Sequence, residues 1–459
     1  MVDDLKEIKR LKKKARNYSI AEGIFASVKN SFGHHYVQPF AIAINMSSPL
    51  VAMLSSVHGL LGPLSQMFGS RLPEKYPRKK ILLKTILIEA FMWLPFIALA
   101  VLFAKGILLE TLPLLVLIFF GFYTIAGSLG HPAWFSWMGD IVEEKQRGKW
   151  FSKRNFIVGF VSVVLVIFAA FFLDYFKSQN MTMEGFGILF FFAFLGRLAG
   201  RKILRKQYEP KIKLKKGYYF SFWDFIINSP KNNFGKLSLF RFSFTFAATI
   251  ANALLAVYLL RTLNLSYTNY MIVLFAGTTI SLFFIGLWGR FADKYGNYKA
   301  LCIATTLLPF IPILWIINSK ILYLTLVPSA ISGIAWAGIH LAESNFIYDN
   351  VTSQKRGLAI SYYNMLWGIG MFLGAITSAV LIKTLNGNVL KPIAIIFIIS
   401  AIARMISVIW WLPKIKEIRK TKKFKTKDAF KDILLKRATP TIHEEINQIA
   451  HIKKYLNLK

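Results

Sequence analysis

The sequence predicts an all-α membrane protein with about 12 transmembrane helices. They form two six-helix bundles related by a pseudo-twofold axis along the membrane normal. Three observations predict this. The 459 residues are 55% hydrophobic and only 17% charged, with a mean hydropathy of +0.47. A soluble domain of this length needs far more charge to cover its surface. Apolar blocks of roughly 20 residues, the length that crosses a bilayer, follow one another evenly between residues 20 and 413. Segments six blocks apart also resemble each other.

The chain opens with a basic segment, 1–19, read as a cytoplasmic N-terminus. Residues 1–18 carry seven basic and three acidic side chains. This is not a cleavable signal, because the stretch that follows contains Lys29, His34 and His35 and runs straight into another apolar block. The first span is itself the expected targeting signal. The N-terminal bundle, 20–204, holds spans near 20–44, 48–70, 81–104, 112–138, 155–173 and 183–200. The first is weakest by hydropathy and the sixth is short. A basic central loop, 205–236, follows. Its Lys211, Lys213, Lys215 and Lys216 precede Tyr218, Tyr219, Phe220, Phe222 and Trp223, aromatics suited to the headgroup level. The C-terminal bundle, 237–413, holds spans near 237–260, 270–289, 300–318, 321–347, 357–382 and 390–413. The tail, 414–459, is basic. Thr441 followed by Glu444 reads as a capping box for a short helix over Ile442–Leu456.

Charge sets the orientation. The net charge is +35, and 31 of the 57 Lys and Arg lie in residues 1–18, 201–236 and 414–459. Such a balance suits nucleic acid or a membrane surface. Between long apolar blocks the membrane reading wins and nucleic acid is not expected. With the N-terminus inside, 46 basic residues fall in inner segments against 6 in outer loops. That bias places both ends in the cytoplasm, against the anionic inner leaflet. Cys302 is the one cysteine, so neither an internal disulfide nor a cysteine-based metal site is expected.

The duplication is visible in two registers. At a shift of 209, His131, Ala133, Asp140, Val142, Arg147, Gly148, Ser152, Asn155 and Gly159 meet identical residues from His340 to Gly368, nine of 29 ungapped positions. Asp140 meets Asp349, and Arg147 meets Arg356. At a shift of 219, Arg71, Lys75, Tyr76 and Lys80 meet Arg290, Lys294, Tyr295 and Lys299, and Glu74 meets Asp293. Asn45 and Ser47 meet Asn264 and Ser266 after spans 1 and 7. Both registers map span n onto span n+6 in the same orientation, the pattern of parallel-repeat transporters.

Within the second register, Gly289-Arg-Phe-Ala-Asp-Lys-Tyr-Gly-Asn-Tyr-Lys299 resembles the signature loop of the major facilitator superfamily, roughly Gly-x-Leu-Ala-Asp-Arg-x-Gly-Arg-Arg. Gly289, Ala292, Asp293 and Gly296 match. Lys294 replaces Arg, Phe291 replaces Leu, and Asn297 departs from the closing basic pair. The copy after span 2 is degraded, with Glu74 for Asp and Pro77 for Gly. The resemblance covers spans 1–12. It implies a gating role for Asp293, facing the start of span 11, where a helix N-terminus and basic neighbours favour a carboxylate. Arg290, Lys294 and Glu74 belong to the same loops. Asp140 with Arg147, and Asp349 with Arg356, are offered as similar pairs. The alternative is that these charges only fix topology.

The resemblance further implies that spans 1, 4, 7 and 10 line a central path. Polar residues inside spans are costly and usually face a cavity. On span 1 the candidates are Lys29, Asn30 and His34, with Glu22, Ala26 and Gly33 at helical spacing. On span 4 they are Tyr123, His131 and Trp134. On span 7 they are Arg241, Thr245, Thr249 and Asn252, and on span 10 Trp336, His340 and Glu343. Trp134 also suits an interfacial anchor, and the repeated His131 and His340 also suit bonds to backbone across helices. Lys29 needs water or a carboxylate, for which Glu343 or Glu22 would serve. Glu89, alone in span 3, is a further candidate or a helix-packing residue.

The expected function is secondary active transport of a small solute by alternating access, with proton coupling through Glu343 as an option. Lys29, Arg241 and the histidines against Glu22, Glu89 and Glu343 slightly favour an anionic or polar solute, with hydrophobic drug efflux as the alternative. No P-loop, no second histidine after His443-Glu-Glu-Ile-Asn and no Ser/His/Asp set is present, so no enzyme, cofactor or metal is expected. A monomer is expected. The competing classes are a lipid-modifying multispan enzyme and a non-transporting sensor or scaffold.

Overall fold

The computed structural model describes residues 2–143, 147–210, 221–352, 355–385 and 390–418. The expected helix over 442–456, residues 211–220 of the central loop and the Arg147 side chain lie outside what is described. Among the described residues the chain is entirely helical. Ten helices are long and apolar enough to cross a membrane. The first two passes, Val2–Ala43 and Ser48–Gly69, complete about twelve. Their interiors hold Lys29, paired histidines and runs of Ser and Gly, which lower hydropathy without preventing helix formation.

The basic N-terminus does not stand apart. It forms the leading turns of one helix, Val2–Phe32. Span 1 then tightens into a 3-10 turn, His34–Tyr36, and resumes as Val37–Ala43. Asn45 (φ 60°) and Asn264 (φ 51°) turn the chain after spans 1 and 7. Asparagine tolerates the left-handed region that most side chains avoid. The two sit at the same place in the repeat.

Proline sets several interruptions, since it lacks the N–H and crowds the preceding turn. Span 4 breaks between Leu129 and His131, before Pro132. Span 9 passes through Leu308–Phe310 with Pro309 and Pro312. Span 10 begins with a wide turn, Thr325–Ser329, around Pro328.

The described residues group into two units: 2–44 with 61–210, and 45–60 with 221–418. In the first, a polar seam joins span 1 to span 5 (Arg147–Ser178). Ser27 donates to Val158 O at 3.0 Å, Ser31 to Ser162 O at 3.0 Å and Tyr36 to Val166 O at 2.7 Å. Acceptors four residues apart lie on one helix face. Phe40, Trp93, Phe96, Phe186 and Phe190 fill the space between spans 1, 3 and 6. In the second unit small residues let helices approach closely. A Cβ on Gly333 would strike the Gly277 carbonyl, and Cβ atoms on Gly370 and Gly374 would strike the Phe242 and Phe246 carbonyls. Spans 8 and 10, and spans 7 and 11, therefore meet backbone to backbone.

Candidate functional site

Lys29 is answered from span 3. Its Nζ lies 2.9 Å from Glu89 Oε1 and donates to the Tyr123 hydroxyl at 3.0 Å. Neither Glu343 nor Glu22 fills that role. Glu343 pairs with Arg241 in the other unit, and Glu22 serves two arginines. Arg197, on span 6 (Thr182–Arg205), donates to Glu89 Oε2 at 2.6 Å and to Glu22 Oε1 at 3.0 Å. Arg154, on span 5, stands 3.6 Å from Glu22 Oε2. Five charges thus form one chain, Lys29–Glu89–Arg197–Glu22–Arg154, drawn from spans 1, 3, 5 and 6. All five side chains are largely buried. Desolvating each ion costs several kcal/mol, so such charges persist only where partners are close.

Around this chain, His34 stacks on Phe120 and Tyr123 with ring centres 6.0 and 5.9 Å apart. Trp134 lies under the Arg154 guanidinium at 4.5 Å. Asn30 is half-buried and hydrogen-bonds no described residue. His131 is exposed at the break in span 4.

In the second unit the sequence candidates of spans 7 and 10 come together. Arg241 Nη1 meets Glu343 Oε1 at 3.3 Å, both buried. The same guanidinium lies 5.1 Å from the Trp336 ring, and Trp336 stacks on His340 at 5.3 Å. His340 is exposed on this face of span 10. The Tyr363 hydroxyl of span 11 lies within electrostatic reach of Glu343. That hydroxyl is directed at Glu343, while Thr245 Oγ1 and Arg241 Nε are buried with no hydrogen-bond partner among the described residues. The cluster has donors to spare beside an aromatic wall.

Two span 7 candidates point elsewhere. Thr249 packs beside the Gly374 backbone of span 11. Asn252 accepts from Arg404 Nη2 at 3.3 Å. Arg404, buried in span 12, also donates to the carbonyls of Leu308 and Ala248, at 3.2 and 3.1 Å. It bonds the Leu308 carbonyl in the proline-broken part of span 9.

The loop residues divide similarly. Asp140 pairs with Arg78 at 2.6 Å, a partner the repeat alignment with Arg147 did not suggest. Arg78 also reaches Ser136 Oγ and Pro210 O, at 3.1 and 2.9 Å. Asp349 accepts from Asn297 at 2.8 Å. Arg356 donates to Val351 O at 3.2 Å and stacks over Tyr348 at 4.5 Å. Asp293 is exposed and makes no ion pair among the described residues, and Glu74 is exposed in the turn Leu72–Glu74. Lys294 lies 5.2 Å from the Tyr295 ring, and Arg290 is half-buried on the last turns of span 8. Gly296 adopts φ +100°, which fits glycine alone, whereas a Cβ on Gly289 would meet nothing within 4 Å.

Sequence reasoning missed Arg197, Arg154, Arg78, Arg404 and Tyr363. Arg154 and Arg78 lie near helix ends in the sequence, where a basic residue reads as a topology signal. Charge balance was the available signal for Arg197: Glu22 and Glu89 inside one bundle need more than Lys29. No three His, Cys, Asp or Glu side chains are grouped as a metal ion requires, among the described residues.

A family model described as Major Facilitator Superfamily matches residues 18–229 and 237–454. Among solved structures, a variant of the nucleoside transporter NupG is similar, with TM-score 0.66 and 13% identity over 88% of this chain and 100% of that one. A bacterial homologue of the ferroportin iron transporter gives TM-score 0.65 and 13% identity over 88% and 98%. A bacterial homologue of the human lysosomal transporter Spinster gives 0.64 and 14% over 89% and 97%. At such identities the likeness is one of fold. No curated protein matches the chain.

Proposed function

From the premise that this chain belongs to the major facilitator superfamily and is a multi-pass membrane protein, we propose how it works as a secondary transporter of a small molecule. Each half supplies one buried polar centre, and cargo is bound by the cluster on spans 7 and 10. The observation that carries this is the buried Arg241–Glu343 pair beside Trp336 and the exposed His340. Residues buried with spare donors are held ready for a ligand, because an unmade buried hydrogen bond costs about 1–3 kcal/mol. Trp336 offers an apolar wall beside them.

Alternating access then needs switches between halves and states. Asp293 has no ion-pair partner among the described residues. The latch to the start of span 11 that we assign to it would act in another state of the cycle. The excess of Lys and Arg in alternate loops supports both ends being cytoplasmic, in the cell membrane.

The test begins with a thermal-shift screen of purified protein against metabolites and drugs, followed by flux in liposomes for any hit. Arg241→Ala should abolish saturable flux while the protein still elutes folded. Full flux in that variant rejects the site. Asp293→Asn should slow flux without lowering thermal stability, and unchanged flux removes the latch. Glu343→Gln should flatten the pH profile of transport if this carboxylate carries the proton; an unchanged profile assigns the proton elsewhere.

A further inference from the structure

The five-charge chain of the first unit does not balance. Lys29, Arg197 and Arg154 bring three positive charges, and Glu89 and Glu22 two negative ones. Arginine stays charged in proteins, so two of the three cations cannot be neutralised by losing a proton. Lys29 is held between a carboxylate and a phenol at 2.9 and 3.0 Å, an arrangement that favours the ammonium. One positive charge is left over. The Arg241–Glu343 pair of the second unit, by contrast, is one to one.

The geometry says where the surplus sits. Arg197 has two carboxylate contacts, at 2.6 and 3.0 Å. Among the described residues Arg154 meets only the second oxygen of Glu22, at 3.6 Å, while its Nε donates to the Ser19 carbonyl at 3.3 Å. A guanidinium has five N–H donors, so most of this one is unused. Its flat face lies on Trp134 at 4.5 Å. Two further donors nearby lack acceptors among the described residues. The Ser19 hydroxyl belongs to the residue whose carbonyl Arg154 holds. The Trp150 indole N–H lies one turn before Arg154 on the same helix. Both are buried without a partner. A missing acceptor explains the loose ion pair, the spare donors and the charge imbalance together.

We propose that this end of the chain binds one anionic group, a carboxylate or phosphate, with Arg154 as the anchor and Trp134 packing against the body that carries it. Resting on the transporter reading, we assign the anion to a transported solute held here by residues of the first unit alone. The guanidinium fork suits planar or tetrahedral oxyanions, which it can hold through two parallel bonds. The electrostatic part comes from the whole chain. Lys29, two partners away, sets the net charge without touching the ligand.

Binding tests this without transport, so its failure leaves the transporter reading standing. The purified full-length protein is placed in phosphatidylcholine nanodiscs. It is titrated with sodium benzoate, sodium acetate and inorganic phosphate at constant ionic strength set with sodium chloride. We expect a saturable rise in melting temperature of about 4 °C with benzoate, on the scale that ligand excess produces. Arg154→Gln should abolish it. Lys29→Met leaves two cations against two carboxylates and should weaken apparent affinity at least tenfold, while Arg154→Lys retains part of it. A parallel arm replaces phosphatidylcholine with phosphatidylglycerol. A rise there alone, lost in Arg154→Gln and Lys29→Met, assigns the same site to a lipid phosphate instead of cargo. The proposal is overturned if no anion and no anionic lipid gives a saturable shift. It is equally overturned if Lys29→Met responds as the unaltered protein does.

Discussion

Asn297 donates to Asp349 at 2.8 Å in the place where Arg78 donates to Asp140 at 2.6 Å. The two pairs are copies. Arg78 maps onto Asn297 in the register of 219, and Asp140 onto Asp349 in the register of 209. A third member follows: Ser136 accepts from Arg78 at 3.1 Å, and its counterpart Asn345 donates to Asn297 at 3.1 Å. Each triad ties the start of span 3 or 9 to the end of span 4 or 10. Both Arg78 and Asn297 are fully buried. One half therefore uses a guanidinium where the other uses an amide.

That difference predicts unequal costs. Among the described residues, Asp140→Asn leaves the buried Arg78 with Glu209, at 3.7 Å, as its carboxylate neighbour. Asp140 is itself 48% exposed, so its loss costs less than breaking a fully buried pair, about 2 kcal/mol. In Asp349→Asn the bond that weakens within this triad is to a neutral amide, a contribution of about 1 kcal/mol from Asn297. Thermal unfolding of the two variants in one detergent should rank Asp140→Asn clearly lower. Equal melting temperatures would show that the triads are energetically alike.

Within the first unit, Glu89 holds two cations and Lys29 one carboxylate. Glu89→Gln should therefore destabilise by about 3 kcal/mol or more, while Lys29→Met should cost less, since Arg197 still satisfies Glu89. The double variant should recover part of the loss. Melting curves of the three proteins decide this, and a strictly additive double variant would show that the two residues do not interact.

Helix order was legible because lipid exposure demands long apolar runs, and the repeat fixed their pairing. The site was legible only in part. Trp336, His340 and Glu343 share one face of span 10, and Arg241 meets that face, so periodicity found them. Thr249 and Asn252 share span 7 with Arg241 yet turn to spans 11 and 12. Sequence spacing gives a residue's place around its own helix and not which neighbour covers it. Arg154 and Arg197 were passed over because a charge near a helix end reads as a topology signal. Only the tertiary contact with Glu22 reveals them as interior.

The short helix within the central loop makes a pH prediction. Ser221 caps Phe222–Asn228, with Asp224 returning the bond in a capping box. The Ser221 hydroxyl and backbone N–H hold the exposed Asp224 carboxyl below its ordinary 3.8. A depressed value means that the cap's contribution is complete above pH ~4. It fades as pH falls through the lowered value, when the protonated acid stops accepting. Trp223, 70% exposed on this helix, is the reporter. Its 5-fluorotryptophan resonance, assigned by Trp223→Phe, should shift in acid. In Asp224→Asn it should sit at its low-pH position throughout. A resonance indifferent to both changes would show that the cap does not order this helix.

Gly296 decides how span 8 passes into span 9. In the first half the corresponding residue is Pro77, at φ −56° and ψ 135°, and a separate turn, Leu72–Glu74, precedes it. In the second half one helix runs unbroken from Tyr267 to Tyr295, and Asn297 already begins the next. The whole reversal falls on a single residue at φ +100°. With ψ at 155° this is a region essentially confined to glycine, so any side chain there is strained, at about 1–3 kcal/mol, and strain would pull on Asn297 and loosen its bonds to Asp349 and Asn345. Gly296→Ala should therefore lower the melting temperature and, where flux is measurable, slow transport. Gly289→Ala, seven residues earlier in the same loop signature, adds a methyl into open space and should match the unaltered protein within about 0.5 kcal/mol. If the two glycines proved equally tolerant, the turn would not depend on the conformation that Gly296 adopts.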